Sequence, residues 1–364
     1  MTRHTPLPGT AYKRLGFFSR LLDETSAAER YRLVAEQIRH AEAHGFDSAW
    51  VAQHHFHEHE GGLPSPFVFL AHVAAQTRRI RLGTGIVTLP LENAVRVAED
   101  AAVLDLLSGG RLEVGVGTGG TPESFAAFGL DSNDRSAIFA RQLATVRRAW
   151  AGDALDGGDR LYPAATPLLG RLWQATFSVA GGARAGAAGD GLMLSRTQPR
   201  TTDAPNATLA DIQHPIVDAY LAALPAGHAP RIVGSRSLFV ADSRDEALKL
   251  AAEGLRRTAA RHAQSGKLDI DPGASVHTLI AAYDAHVGTP DDVVASLRAD
   301  TTLERVTDVV FQAHSIDPPH AFILRSIELI ATEVAPALGW FAPRSERAGG
   351  THRSSLDLSL EANA

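Results

Sequence analysis

The 364 residues include no cysteine, which removes disulfides, thiolate zinc sites and thiol nucleophiles together. Any metal would have to be held by His, Asp or Glu. No long basic block offsets the formal net charge of −6, so the charge distribution gives no reason to expect a nucleic-acid partner. The opening MTRHTPLPGTAYKRLG lacks the apolar centre of a secretion signal, and no later segment has the unbroken apolar length that spanning a bilayer demands. A cytoplasmic protein with no membrane partner is the expectation. What is present, 45% apolar and 21% charged residues, suits a soluble globular chain with a substantial core.

Strand-like and helix-like segments alternate along the chain. RLGFF (14–18), 49–52, RIRLGTGIVTL (79–89) and RLEVGVG (111–117) read as strands, followed by helical periodicity over 27–45, 66–77, 95–107 and 136–150. After a Gly/Pro-rich connection (152–170), LWQATFSV (172–179), DGLMLS (190–195), RIVGSRSLFVA (231–241) and VTDVVFQA (306–313) complete eight strands. Helical stretches are expected over 180–188, 208–224, 244–263, after Pro290, and over 321–338, with a less regular segment at 264–289. Parallel neighbours need a crossover and a helix supplies one, so eight such units predict a single closed (β/α)8 barrel over 1–341. The remainder, 342–364, loses apolar periodicity and reads as a flexible tail.

Three segments carry candidate chemistry. QHHFHEHE (53–60) follows a predicted strand end, where barrels of this kind gather their catalytic groups. His54, nearest the strand, is the candidate general acid/base; His57 and His59 read as solvated loop residues. His55, His57 and His59 alternate but do not form H-E-x-x-H, so no metal site is expected. GVGTGG (115–120) fits G-x-G-x-x-G, yet the next predicted strand is far away, and a tight turn approached closely by a ligand or another backbone is the better reading. In TFSVAGGARAGAAG (176–189), Ser178 suits an N-cap, and amides near Gly181 and Gly182 would line a helix N-terminus able to hold a phosphate. Small residues serving only close packing explain that stretch equally well. Arg135 either approaches the same mouth or is a solvated residue at a helix start.

Taken in order, GFDSAWVAQHHF (45–56), LGTGIVTLP (82–90), VRVAEDAAVLDLLSGGRLEVGVG (95–117), FGLDSNDR (128–135), DGLMLS (190–195) and LRSIELIATEVAPAL (324–338) resemble the bacterial luciferase-like, flavin-dependent monooxygenases. The resemblance implies a (β/α)8 barrel that binds reduced FMN, delivered by a separate flavin reductase, and uses O2 to oxygenate a small organic substrate. It places His54 at the first position of the family's His-His pair, as a proton-transfer residue. Gly85 and Ile86 match the strand end against the flavin, often joined by a cis peptide. Ser178 and Gly181 match the phosphate turn, Arg135 a basic residue reaching it, and Ser195 the next strand end near the ring system. Thr118 stands where the family has an arginine beside the phosphate, Gln53 where many members have Glu, and Asn93–Ala94 where His-Pro is common.

A homodimer is usual in the family, and segment 264–289 lies where it has a mobile loop over the site; a surface linker is the plainer reading. Two other outcomes on the same barrel are deazaflavin-dependent hydride transfer and flavin binding without turnover.

Overall fold

The computed structural model describes residues 12–265, 270–313 and 316–340. The expected flexible tail, 342–364, lies outside them. Nine strands are present among the described residues: β1 (Arg14–Ser19), β2 (Ser48–Val51), β3 (Arg81–Thr88), β4 (Leu112–Gly117), β5 (Leu172–Ala175), β6 (Gly191–Leu194), β7 (Ile232–Val240), β8 (Ala285–Gly288) and β9 (Asp308–Gln312). Between and after them run α1 (Ala27–Ala43), α2 (Pro66–Ala74), α3 (Ala94–Leu107), α4 (Pro122–Ala127), α5 (Arg135–Ala151), α6 (Val179–Ala187), α7 (Leu209–Ala223), α8 (Arg244–Ser265), α9 (Val276–Ala282), α10 (Pro290–Ala299) and α11 (His320–Leu329). The last helix continues through a π-helical turn at Ile330–Val334. No described helix is long and apolar enough to cross a membrane.

All pairings are parallel, and the order β6-β5-β4-β3-β2-β1-β9-β7 closes through β6–β7 into the expected eight-stranded barrel. The ninth strand corrects the expectation of irregular chain at 264–289, which contains α9 and β8. On one edge, β7 pairs with β9 over Val233–Ser237 and then with β8 over Ser237–Val240. A strand nine residues long thus serves the barrel with its first half and a four-residue extra neighbour with its second. Four residues are too few for a periodic signal.

Alternate strand residues point into the barrel. Trp50 and Trp173 fill its middle edge-to-face, ring centroids 5.8 Å apart, together with Met193, Val233 and Val310. Each indole is registered opposite a glycine, Trp50 against Gly83 and Trp173 against Gly191. A Cβ on those glycines would lie 2.2 and 2.1 Å from ring atoms, so the small residue is what admits the large one. Below them the barrel floor is polar: Trp173 Nε1 donates to Glu113 Oε2 at 2.7 Å, Arg81 pairs with Glu113, and Arg14 pairs with Asp308 at 2.7 Å. The floor is closed and ligand space is left at the strands' C-terminal ends.

The main apolar core lies between barrel and helices. A second cluster, built on Phe239, Ala251, Leu255, Leu279 and Ile316, holds α8, α9 and β8 together beside the mouth.

Candidate active site at the barrel mouth

The strand ends open into one cavity of about 1960 Å³. His54, Gly85, Ile86, Thr118, Arg135, Ser178 and Ser195 all line it, whereas Gly181 and Gly182 do not. Phe18 (β1), Gly85 and Ile86 (β3), Gly117 (β4) and Ala175 (β5) form an apolar wall above the tryptophan layer. The Gly85–Ile86 peptide bond is cis, and the β3–β4 register shifts between Thr84 and Val87. A Cβ on Gly85 would come 2.6 Å from the Phe18 ring, and one on Gly117 2.8 Å from Ile86 Cδ1. These positions are small because their neighbours already occupy the space.

The same reasoning explains GVGTGG. Gly115 and Gly117 lie within β4, where a Cβ on Gly115 would meet the Thr84 carbonyl oxygen at 2.2 Å, and Gly119 turns the chain at φ +71°. A neighbouring strand's backbone is what passes closely, and the helix that follows, α4, has only six residues.

Beside this wall stands the N-terminus of α6. Ser178 is its N-cap, with Oγ accepting from the Gly181 amide at 3.1 Å, and Thr176 Oγ1 accepts from the Ser178 amide at 3.1 Å. The Gly182 amide donates to the Ser178 carbonyl at 3.0 Å. The Gly181 and Gly182 amides themselves are used in starting the helix. The amides left without a partner among the described residues are those of Val179 and Ala180, as the geometry of a helix start requires. Gly182 and Gly186 instead face α7, where a Cβ on each would approach the Ile216 and Tyr220 carbonyl oxygens at 2.5 and 2.2 Å. The close-packing reading holds for these two glycines, against α7 rather than the barrel.

Two arginines, Arg135 and Arg184, line the same cavity. Arg135 opens α5, with Nη1 donating to the Ser132 carbonyl at 3.0 Å. Arg184 is oriented more firmly: Nε donates to Gln174 Oε1 at 2.9 Å and the guanidinium lies 5.1 Å from the Phe139 ring centre. Gln174 is itself fixed by donating to Asp190 at 2.7 Å. The Thr118 hydroxyl supplies no charge and lies 3.4 Å from the Gly119 carbonyl. Ser195 ends β6, where its Oγ accepts from the Thr197 amide at 3.1 Å and its carbonyl from Gln213 at 2.9 Å.

His54 follows β2 and is half-buried. Its ring packs where a side chain on Gly61 would stand, 2.5 Å from His54 Cδ2. Its neighbour His55 also lines the cavity, its ring edge-on to Phe128 at 5.0 Å, and burial lowers its pKa. Gln53 is buried and structural: Oε1 accepts from the Thr88 amide at 2.7 Å, while Nε2 donates to the Pro64 carbonyl at 3.0 Å and Glu92 at 2.6 Å. A carboxylate there would face Glu92, whose own pKa is raised by burial. Asn93 is the N-cap of α3, accepting from the Val95 and Arg96 amides. His59 is exposed and 5.6 Å from the His57 ring. No group of three or more His, Asp or Glu among the described residues could hold a metal ion.

The sequence reading missed the other half of the mouth. Arg20 follows β1, Arg196 and Gln198 follow β6, Gln312 ends β9, and Arg200 pairs with Asp284, Nη2 lying 2.8 and 2.7 Å from the two carboxylate oxygens. The available signal was positional, a polar residue at or just past each strand end.

Comparison with known proteins agrees with this architecture. A monooxygenase structure from Streptomyces bottropensis, RslO1, superposes with a TM-score of 0.69 at 27% identity, covering 89% of this chain and 99% of that one. Among curated proteins, 4-hydroxyprotoasukamycin monooxygenase of Streptomyces nodosus subsp. asukaensis is 41% identical over 30% of this chain and 29% of its own length. The oxygenase component of flavin-dependent trigonelline monooxygenase from Acinetobacter baylyi is 27% identical over 38% of this chain and 39% of its own. The chain thus spans only 29–39% of the length of these curated relatives. The family model for luciferase-like monooxygenases, by contrast, matches residues 15–305, and with that extent of agreement the chain belongs to the luciferase-like monooxygenase family.

Proposed function

We propose that this chain is the oxygenase of a two-component FMN-dependent monooxygenase, fed with reduced flavin by a separate reductase. The observation that carries the reading is one cavity lined together by an apolar wall at Gly85, Ile86, Gly117 and Ala175, by Ser178 at the α6 N-terminus, and by Arg135 and Arg184. A planar apolar ring system bearing a phosphate tail fits that pairing. The unbonded amides of Val179 and Ala180, with the positive end of the α6 dipole, would hold the phosphate. Arg184, pre-aimed by Gln174, and Arg135 add charge-assisted bonds. They supply the field that Thr118 does not.

Reduced FMN, when bound, supplies the electrons that activate dioxygen for transfer of one oxygen atom to a small organic substrate. The chain's own share is to position and to exclude. The apolar wall keeps bulk water from the reacting face. His54, at the β2 end and held in place by the close approach of Gly61, would give and take the proton that oxygen transfer requires. Ser195 lines the mouth at the β6 end, within the same cavity.

The deciding experiment is an anaerobic titration of the purified protein with reduced FMN, followed calorimetrically. Saturable one-to-one binding is expected, weakened about tenfold by Arg184→Ala, the loss of one charge-assisted contact. His54→Ala should leave that affinity within a few-fold and change the pH dependence of oxygen consumption by the FMN-loaded protein. Binding of a deazaflavin with none of FMN would replace the oxygenase by a hydride-transfer enzyme, and His54→Ala without kinetic effect would favour a flavin-binding protein without turnover.

A further inference from the structure

Six arginines line the cavity against three carboxylates, Glu60, Asp284 and Asp317. Two of the arginines, Arg135 and Arg184, belong to the proposed phosphate site, and Arg200 is matched by Asp284. Arg20, Arg196 and Arg261 remain, facing Glu60 and Asp317. Arg20, Arg196 and Arg261 follow β1, β6 and β7, whereas Gly85 and Ile86 belong to β3, Thr118 follows β4 and Ser178 follows β5. The two charged regions therefore lie on different arcs of the mouth.

We propose that this second region recognises a carboxylate on the organic substrate, with Arg196 and Arg20 as its cationic partners and the Gln198 and Gln312 amides as neutral ones. The assignment rests on the oxygenase reading for its description of the ligand as substrate, but not for the recognition of an anion. Arg196 is only 5% exposed, and its Nη1 donates to Ser237 Oγ at 3.1 Å. Arg20 donates to the Glu60 carbonyl. Arg261 stands 3.6 Å from Asp317 and donates to Thr258 Oγ1 at 3.3 Å. Three buried or half-buried cations thus gather in this part of the cavity.

Further observations point the same way. Gln198 and Gln312 are 2% and 3% exposed and both line the cavity, yet neither amide atom of Gln198, nor Oε1 of Gln312, bonds to a described residue. Buried polar groups are ordinarily satisfied, so these are groups that a polar ligand would complete. Burial, and next the nearby Arg20, hold the Arg196 pKa down to about 9; an anion beside them relieves both costs. Asp284 and Asp317 each adopt φ +46°, a left-handed conformation that Asp tolerates better than most residues and that gathers at functional sites. Ile270 and Tyr283 add apolar and aromatic surface for the substrate's body.

The test uses two pairs of near-isosteric probes, benzoate with benzamide and decanoate with decanamide, titrated calorimetrically with and without saturating reduced FMN. At least one carboxylate is expected to bind ten times or more tighter than its amide. Arg196→Met should abolish that preference, Arg196→Lys should retain most of it, and reduced FMN should bind both variants within twofold of the wild type. Should Arg196→Met fail to fold, Arg20→Met is read in its place. Equal affinity for acid and amide in both pairs, or a preference that survives the neutral substitution, overturns the proposal. So does a tenfold loss of FMN affinity in Arg196→Met, which would move the arginine to the flavin. If the wild type binds no flavin but still prefers the carboxylates, the oxygenase reading fails and the anion site stands.

Discussion

His286, on β8, is 8% exposed and its Nδ1 lies 2.7 Å from Ser296 Oγ. Burial lowers its pKa to about 4; Asp300 opposes this and Arg236 adds to it. Its folded-state pKa is thus below the unfolded value of about 6.5, so the unfolded chain takes up a proton that the folded chain refuses. Stability tied to the neutral ring is complete above about pH 6.5 and is lost as pH falls towards 4, by about 3 kcal/mol at most. Urea melts from pH 7 to 4 should show that decline, and His286→Gln should flatten it; an unchanged slope in the variant would place the acid sensitivity elsewhere. Nothing in the sequence AHVG marks this histidine, because its burial depends on β8 joining the upper half of β7.

At the scale of elements, α6 links packing to binding. Gly182 and Gly186 bring its backbone against α7, while its N-cap, Ser178, lines the cavity. Gly186→Ala would place a methyl 2.2 Å from the Tyr220 carbonyl oxygen. Backbone cannot yield cheaply, so the helix must shift, at about 1–3 kcal/mol. We expect a lowered melting temperature and a several-fold loss of reduced-FMN affinity, although residue 186 does not line the cavity. Gly170→Ala is the control, with nothing within 4 Å of the added carbon; if both variants bind flavin like the wild type, α6 position is not what sets affinity. Ser178 as N-cap was legible because capping is local chemistry. The roles of Gly181 and Gly182 were not, since a glycine reads alike whether it frees an amide or admits a neighbouring helix. The alternation of strands and helices was legible for the same reason as the cap: each unit repeats its own apolar period. Arg20 and Arg196 stayed hidden because an arginine after a strand resembles any solvated arginine until barrel closure brings the β1 and β6 ends to one mouth.

The whole molecule leaves its apolar surface unevenly distributed. Of ten exposed large hydrophobic residues among those described, four lie on the adjoining helices α2 and α3: Val68 at 74%, Val103 at 47%, Leu106 at 64% and Leu107 at 67%. Scattered exposed apolar residues need no explanation, but 103, 106 and 107 stand at i, i+3 and i+4 on one helix face. A contiguous apolar stripe on the outside of a barrel is best covered by an identical stripe, because a two-fold axis makes one patch serve both partners and closes the assembly. We therefore expect the homodimer usual among luciferase-like monooxygenases, paired through α2 and α3. The barrel mouth opens at the strands' C-terminal ends and none of these four residues lines it, so pairing should leave the cavity accessible. Light scattering should give twice the chain mass for the wild type and the chain mass for Leu106→Glu/Leu107→Glu, with reduced-FMN affinity unchanged. A wild-type monomer, or a dimer indifferent to both glutamates, would mean that another surface joins the subunits or that none does.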